Sequence, residues 1–266
     1  MKSIAVFGIT GRMGQALIRA LQESSPPTLV LSGAIASPTS ARLGQDAAAT
    51  GTPTRVRITG DAALGVRGAA VAVDFSVGSS VAAHALVCAA AGVPLLIGTT
   101  GLDAAGRAAA DSAAREIAVL IAPNTSVGVG VAAKLVSLAA SALGHSFDVE
   151  ISEAHHRTKR DAPSGTALAL GEAVARARGQ SLSEVAVYDR TGAAGPRKPG
   201  SIGISSLRAG DIVGDHTVVF ASAGERVEIT HRATDRLTFA RGALRAAEWL
   251  VGRPAGLYGM EQVLGL

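Results

Sequence analysis

The residues best able to do chemistry are crowded into one polar stretch, Glu153-Ala154-His155-His156-Arg157-Thr158-Lys159-Arg160-Asp161-Ala162-Pro163-Ser164-Gly165-Thr166. It holds two of the six histidines and one of only four lysines. A histidine titrates near neutral pH and can hand a proton to a reacting atom. Lys159 stands between Arg157 and Arg160, and a lysine so crowded by like charge can donate a proton or hold an anion. Pro163 pushes Ala162 into an extended conformation. Ser164 then reads as a helix N-cap, with Gly165 and Thr166 in the first turn. The N–H groups and hydroxyls of such a turn bind a carboxylate. A proton donor beside a carboxylate cradle suits the reduction of an acidic, unsaturated substrate. Any one of these residues alone would pass for part of a surface loop. Adjacent His155 and His156 can also ligate a metal, but no further ligand spaced as in His-Glu-x-x-His accompanies them, and no metal is expected.

A second cluster lies near the start of the chain. Gly8, Gly11 and Gly14 form G-x-x-G-x-x-G between the apolar run Ser3–Phe7 and a segment in which Met13, Ala16, Leu17, Ala20 and Leu21 recur at helical spacing. Such glycines let a backbone turn tightly and approach a pyrophosphate, while helix N–H groups point at the anion. Alone the pattern is a common turn between strand and helix. At the head of a β-α-β series it points to a dinucleotide. A carboxylate ending the second strand would favour NAD. Here Ile35 is followed by Ala36-Ser37-Pro38. Ser37, Thr39, Ser40 or Arg42 could instead meet a 2′-phosphate, so NADPH is expected to be accepted or preferred.

The elements that must carry these clusters follow from the apolar pattern. Strands are expected at Ser3–Phe7, Leu29–Ile35, Val71–Phe75, Leu95–Ile97 and Ala118–Ile121, with helices near 80–91 and 103–116 between the later ones. Alternation of this kind predicts a parallel sheet, whose ligands bind beyond the carboxyl ends of its strands. Gly98-Thr99-Thr100-Gly101 and Pro123-Asn124-Thr125-Ser126 stand at two such ends. After Val127 the character changes: a helix over 130–143, a strand over 147–154, a helix from Ser164, a Gly/Pro-rich loop over Gly192–Gly200, then strands near 202–207, 217–221 and 226–231 and a last helix over 239–251. The fold class is therefore α/β, an N-terminal Rossmann-like parallel sheet plus a C-terminal α+β domain with a mixed or antiparallel sheet. The expected division is a dinucleotide-binding domain over 1–126, a second domain over 127–235, and a tail, 236–266, that returns to the first.

Composition narrows the function classes. Nearly half of the 266 residues are apolar, but aromatics are only 3% and the net charge is +4. A mild excess of arginine with few stacking groups argues against nucleic acid; an anionic small molecule explains it equally well. The uncharged run between Asp74 and Asp103 is long enough for a bilayer span, yet Gly92, Pro94 and Gly98–Gly101 break it, which suits a buried helix, a turn and a buried strand. The single cysteine, Cys88, excludes an intrachain disulfide. No signal peptide is visible, and a cytoplasmic protein with no membrane partner is expected.

The sequence closely resembles the dihydrodipicolinate reductase (4-hydroxy-tetrahydrodipicolinate reductase) family along the whole chain. The resemblance is carried by Gly11-Arg12-Met13-Gly14, Val73-Asp74-Phe75-Ser76, Gly98-Thr99-Thr100-Gly101, Ala122-Pro123-Asn124, Ser126-Val127-Gly128-Val129, Glu153–Thr166, Arg208-Ala209-Gly210-Asp211 and Glu228-Ile229-Thr230-His231. It implies reduction of a cyclic dicarboxylic imine in lysine and diaminopimelate biosynthesis, with NADPH or NADH as hydride source. It implies His155 as proton donor, Lys159 as its catalytic partner, and His156, Ser164, Gly165, Thr166 and Arg236 on the substrate carboxylates. Cofactor contacts would come from Gly8, Ile9, Thr10, Gly11, Arg12, Met13, Gly98, Thr99, Thr100, Ala122, Pro123, Asn124 and Thr125. The family resemblance also implies a homotetramer built through the second domain. Two departures stand out: Ala36-Ser37 replaces the acidic-arginine pair of some members, and Thr125 stands where many carry phenylalanine. Without the resemblance, Arg236 would read as a solvated arginine before a helix and Asp74 as a structural carboxylate. The alternatives from other classes are a non-catalytic dinucleotide-sensing regulator, which has no need of His155 and Lys159, and a metal hydrolase using His155 and His156.

Overall fold

The computed structural model describes residues 1–192 and 195–266. The loop expected over Gly192–Gly200 includes Ala193 and Ala194, which lie outside the described residues. In chain order the first elements are β1 (Lys2–Phe7), α1 (Arg12–Glu23), β2 (Leu29–Ile35), β3 (Ile58–Thr59), α2 (Ala62–Val66), β4 (Val71–Asp74), α3 (Val81–Ala91), β5 (Leu95–Ile97), α4 (Ala104–Ala113) and β6 (Ala118–Ile121). Next come α5 (Val127–Leu143), β7 (Asp148–His155), α6 (Gly165–Ala177), α7 (Leu182–Val185), β8 (Ala186–Val187), β9 (Ile202–Arg208), β10 (Gly214–Ser222) and β11 (Glu225–Ala233). The chain ends with α8 (Leu237–Leu250), β12 (Gly256–Tyr258) and α9 (Met260–Leu264). Two compact units result, Met1–Val127 with Arg236–Leu266, and Gly128–Asp235.

The first unit is built on a seven-stranded sheet in the order β12-β6-β5-β4-β1-β2-β3. Every pairing in it is parallel. Parallel strands bury both faces, which explains why β1 and β4 read as near-continuous apolar runs. One face packs Leu17 and Ile18 of α1 and Ala243, Ala247 and Leu250 of α8. The other packs Ala85 and Cys88 of α3 and Ala110 and Ala113 of α4. The uncharged run from Asp74 to Asp103 thus forms a helix, a left-handed Gly92 turn (φ 66°) and a strand. The sheet's order reverses between β1 and β4, so the ends of these strands open a crevice.

The second unit carries a five-stranded mixed sheet in the order β11-β10-β7-β9-β8. β10 runs antiparallel to β11 and β7, while β9 runs parallel to β7 and β8. Val149 and Ile151 of β7, Ile204 of β9 and Val218 and Phe220 of β10 face a core shared with Val136 and Ala140 of α5 and Leu170 and Val174 of α6. Among the described residues one helix, Val127–Ser146 with its 3-10 extension, is long and apolar enough to cross a membrane, yet Val136 and Ala140 tie it to this core.

The structure adds short elements that apolar periodicity misses. β3 and β8 are two residues each, α7 four, and β12 three, lengths at which no period can be read. Where both exist, predicted and observed boundaries differ by up to three residues, as at α4, β10 and α5, the last of which begins at Val127 because Gly128 and Gly130 do not break it.

Gly14 shows how tightly the glycine turn is built. A Cβ there would lie 2.5 Å from the carbonyl oxygens of Gly8 and Ile9. Alanine in place of a helical glycine ordinarily gains about 1 kcal/mol. Here Gly14→Ala is expected to destabilise by roughly 1–3 kcal/mol through overpacking, a sign that urea unfolding of the two proteins will read directly.

Candidate functional site

At the crevice of the first unit, Gly8 leaves β1 in the left-handed region (φ 73°), where its missing side chain keeps clear of the Phe75 carbonyl, 2.5 Å from an ideal Cβ. Gly11 closes the turn by donating its N–H to the Gly8 carbonyl at 2.9 Å and caps α1 without a side chain. The Gln15 amide steadies the loop from within α1, donating to the carbonyls of Ile9 and Ala47 at 2.8 and 2.9 Å. Beyond the strand ends lies a cavity of about 450 Å³ lined by Arg12, Met13, Gly98, Thr99, Thr100, Pro123, Asn124 and Thr125, all anticipated from sequence, and by Phe75, Ser76, Arg236 and Phe239. Ile9 and Ala122 are buried in the core, so only their backbones can serve a ligand.

Buried Asp74 ties the loops that line this cavity. One carboxylate oxygen accepts from the Ser76 N–H at 2.8 Å, the Ser76 hydroxyl at 2.6 Å and the Thr99 hydroxyl at 2.9 Å. The other meets His84 Nδ1 at 2.8 Å. Burial pushes this carboxyl up, but the bonds from His84 and Ser76 outweigh it and hold it below its ordinary value. Asp74 is therefore the structural carboxylate its position suggested, and the Thr99 hydroxyl is committed to it.

Arg42 and Thr125, both singled out in the sequence, have defined partners in this unit. Arg42 Nη2 is spent on the carbonyls of Asp46, Ala47 and Ala48, at 2.9, 3.4 and 3.1 Å. These bonds brace its own loop through one guanidinium nitrogen, while Ser37 and Thr39 pair hydroxyls at 2.9 Å on the surface. Thr125 is buried, and its hydroxyl donates to the Phe239 carbonyl at 2.7 Å. The aromatic walls of the cavity are Phe75 and Phe239 in place of residue 125.

The polar stretch lies in the second unit. Strand alternation sends Val149, Ile151, Glu153 and His155 to the same buried face of β7. Glu153 and His155 thus end a core-facing row, and the Glu153 Oε2 to His155 Nδ1 distance is 2.5 Å. The sheet register sets Glu153 between Ser206 of β9 and His216 of β10, and His155 opposite Arg208. Arg208 grips Glu153 with two nitrogens, at 2.9 and 2.8 Å. The Ser164 N–H donates to Glu153 Oε1 at 3.1 Å. Burial opposes ionisation of Glu153, but bonds from Arg208, Ser206 and His155 win and hold its carboxyl at about 2.

Ser164 is the expected N-cap. Its hydroxyl accepts from the Ala167 N–H at 3.1 Å and meets His216 Nε2 at 2.9 Å. Gly165 and Thr166 begin α6. Lys159 has a neighbour that its flanking arginines hide in the sequence: Nζ lies 2.8 Å from Asp161. His156 Nδ1 lies 2.8 Å from the Thr158 hydroxyl. The loop is braced by Arg208, whose second nitrogen reaches the Asp161 carbonyl at 2.6 Å, and by the Arg157 N–H to the Gly210 carbonyl. The structure joins His155, Ser164, Glu153, Arg208 and His216 in one network. Arg236 belongs to the first unit, where it caps α8 and lines the cavity. Of the residues missed in sequence, Glu153 carried a signal, because it stands two positions before His155 on a predicted strand. Phe239 and His216 carried none.

Two family models cover the chain: dihydrodipicolinate reductase, N-terminus, over residues 2–125, and dihydrodipicolinate reductase, C-terminus, over 128–264. The chain is 51% identical over 264 residues to 4-hydroxy-tetrahydrodipicolinate reductase of Thiobacillus denitrificans, covering 99% of this chain and 98% of that one. It is 49% identical over 268 residues to the protein of that name in Anaeromyxobacter dehalogenans, covering 100% and 98%. Among solved structures it resembles dipicolinate-bound dihydrodipicolinate reductase from Paenisporosarcina sp. TG-14, with a TM-score of 0.74 and 25% identity over 99% of this chain and 100% of that one.

His216 makes the second unit sensitive to acid. Enclosure, reinforced by His155, pushes it from 6.5 down to about 4. The unfolded chain therefore takes up a proton below about 6.5 that the native protein resists until about 4, so stability present above 6.5 is lost as pH falls through this window. The loss should reach on the order of 3 kcal/mol. Urea midpoints measured from pH 7 to 4.5 should fall less steeply for His216→Gln; equal slopes would remove His216 from the account.

Proposed function

The chain belongs to the dihydrodipicolinate reductase family, and from that premise we propose that it reduces 4-hydroxy-tetrahydrodipicolinate to tetrahydrodipicolinate with NADPH or NADH, in the route to diaminopimelate and lysine. The observation that carries the reading is the buried Glu153–His155 pair, 2.5 Å apart, beside the start of α6. A regulator that only sensed a dinucleotide would have no use for it.

The glycine turn fits a dinucleotide. Gly8 and Gly14 leave no room for side chains, so the backbone at the start of α1 can approach a pyrophosphate closely. The cavity beyond β4, β5 and β6 offers Phe75 and Phe239 as flat apolar walls. The dihydronicotinamide, when bound, supplies a hydride to C4 of the substrate ring.

The chain's own residues then handle the proton and the carboxylates. Loss of the 4-hydroxyl as water gives the unsaturated ring. The hydride at C4 is then matched by a proton that His155, with Lys159 as its partner, delivers to the neighbouring carbon, so the products are tetrahydrodipicolinate, water and the oxidised dinucleotide. The N–H groups of Gly165 and Thr166 face one substrate carboxylate at the positive end of α6, with Ser164 fixing where the helix begins. His156 contributes a further polar group, and Arg236 is the guanidinium for the second carboxylate. In this reading 1–126 with 236–266 binds the dinucleotide, and 127–235 binds substrate and assembles the oligomer. The sheet of the second unit leaves Leu207 and Val227 exposed, which favours a homotetramer through that surface. A cytoplasmic location suits such a biosynthetic enzyme.

Purified protein is expected to oxidise NADPH or NADH only when freshly generated substrate is supplied, followed at 340 nm; no oxidation with that substrate sinks the reading. His155→Ala and Lys159→Ala should each lower kcat by roughly 10²–10⁴-fold while NADPH binding, measured by fluorescence titration, persists. Abolished NADPH binding in either variant would reassign the residue. With no carboxylate ending β2 and Nη2 of Arg42 held by carbonyls, the kcat/KM values for NADPH and NADH should lie within roughly tenfold of each other, since a dedicated charge contact is worth more than that. A larger preference would mean that another group reads the 2′-phosphate.

A further inference from the structure

A proton can leave His155 from either of two ring nitrogens, and the surroundings of the ring decide which. Glu153 is ionised at neutral pH, because Arg208, Ser206 and His155 overcome its burial and hold its carboxyl at about 2. An ionised carboxylate has only lone pairs to offer. The 2.5 Å contact must therefore be donated by the Nδ1–H of His155. Nδ1 keeps its hydrogen whether the ring is neutral or charged, and Nε2 is the nitrogen that gains and loses a proton.

Nε2 lies over Gly214. Gly214 heads β10, one residue beyond the Asp215–Ala154 pair, so it neighbours His155 across the sheet on the same face as His216 and Val218. An ideal Cβ on Gly214 would stand 3.1 Å from His155 Nε2, 3.5 Å from its Cδ2 and 3.7 Å from Cε1 of His216. The φ of Gly214 is outside the left-handed region, so the backbone does not call for glycine there. The space does. His216 closes a third side, its ring meeting that of His155 edge-on at 5.1 Å.

We propose that Glu153 and Gly214 are positioning residues that present Nε2 of His155 as the proton-transferring atom, Glu153 by holding Nδ1–H and Gly214 by leaving room for the Nε2 edge of the ring. Arg208 serves this indirectly, because its two-pronged grip fixes the carboxylate that fixes the ring. The proposal rests on the reductase reading for its kinetics but not for the state of the ring.

Two measurements test it. In 15N-histidine-labelled wild-type protein held in alkaline buffer, without ligands, the His155 signals should show a protonated Nδ1 and a bare Nε2. The reverse tautomer overturns the proposal whatever the enzyme's activity. In steady-state assays Gly214→Ala should lower kcat by roughly tenfold to a hundredfold, since small displacements at a reacting group are that costly. KM for NADPH should stay within twofold, and the thermal midpoint should stay near that of wild type. Glu153→Gln should lower kcat at least about a hundredfold, because the amide no longer dictates the tautomer, and its His155 signals should lose the Nδ1–H pattern. Wild-type kcat in Gly214→Ala overturns the steric half, and should Glu153→Gln fail to fold, the Gly214→Ala kinetics and the wild-type spectrum still decide the matter. An inactive wild-type enzyme showing the predicted tautomer would overturn the reductase reading and leave the ring orientation standing.

Discussion

A carboxylate removed from water must be given back its hydrogen bonds, and Glu153 receives them from three elements. Its own strand supplies His155, β9 supplies Arg208 and Ser206, and the start of α6 supplies the Ser164 N–H. Each donor restrains the element it comes from. The end of β7, the end of β9 and the N-terminus of α6 are thereby held at one point, the point at which the polar loop leaves and re-enters the fold. Arg208 extends the restraint to the loop through the Asp161 carbonyl. Loss of one charged partner from such a site costs about 3–5 kcal/mol, because the survivor stays buried and unpaired. A surface loop with the same residues would carry no such penalty and hold no such geometry.

The first unit uses a related device for another end. Its parallel sheet brings four strand ends to one crevice, but strand ends alone do not fix the loops that follow them. Asp74 does so by gathering Ser76 and Thr99 from two adjacent loops onto one buried oxygen. The Thr125 hydroxyl performs the same service from the third loop, on the backbone of α8. The hydroxyls of Ser76, Thr99 and Thr125 are thus spent on shaping backbone, while Arg12, Thr100 and Arg236 add polar groups to a lining that includes two aromatic walls.

The large periodic elements and the two candidate clusters were legible in the sequence, because long apolar runs and glycine spacing report local structure. What was not legible depended on register. Nothing near His216 marks it as a neighbour of Ser164, since the two are brought together by β10 pairing with β7. Arg42 read as a candidate phosphate ligand because its type and position suited one; only the fold of its loop turns the guanidinium onto three carbonyls. Lys159 read as crowded by like charge because its sequence neighbours are arginines, while its partner in space is Asp161. In each case residue type was a sound guide to chemical capacity and a poor guide to which neighbour would use it.

Two histidine–carboxylate pairs among the described residues, His84–Asp74 and His155–Glu153, are of similar length, and the difference between them lies in the rest of each ring. His84 meets Asp74 at 2.8 Å, and its face is stacked on Phe7 with ring centres 4.1 Å apart. Its imidazole is a packing surface with one polar corner. His155 meets Glu153 at 2.5 Å, but its far edge lies over a glycine and beside another imidazole, with no stacking ring across its face among the described residues. A proton can be exchanged only from a nitrogen that something else can approach. Pairing with a carboxylate is therefore insufficient to mark a catalytic histidine, and the space left at the opposite nitrogen is the more discriminating feature. By that criterion the strand-end pair of the second unit, and not that of the first, fits the proposed proton transfer.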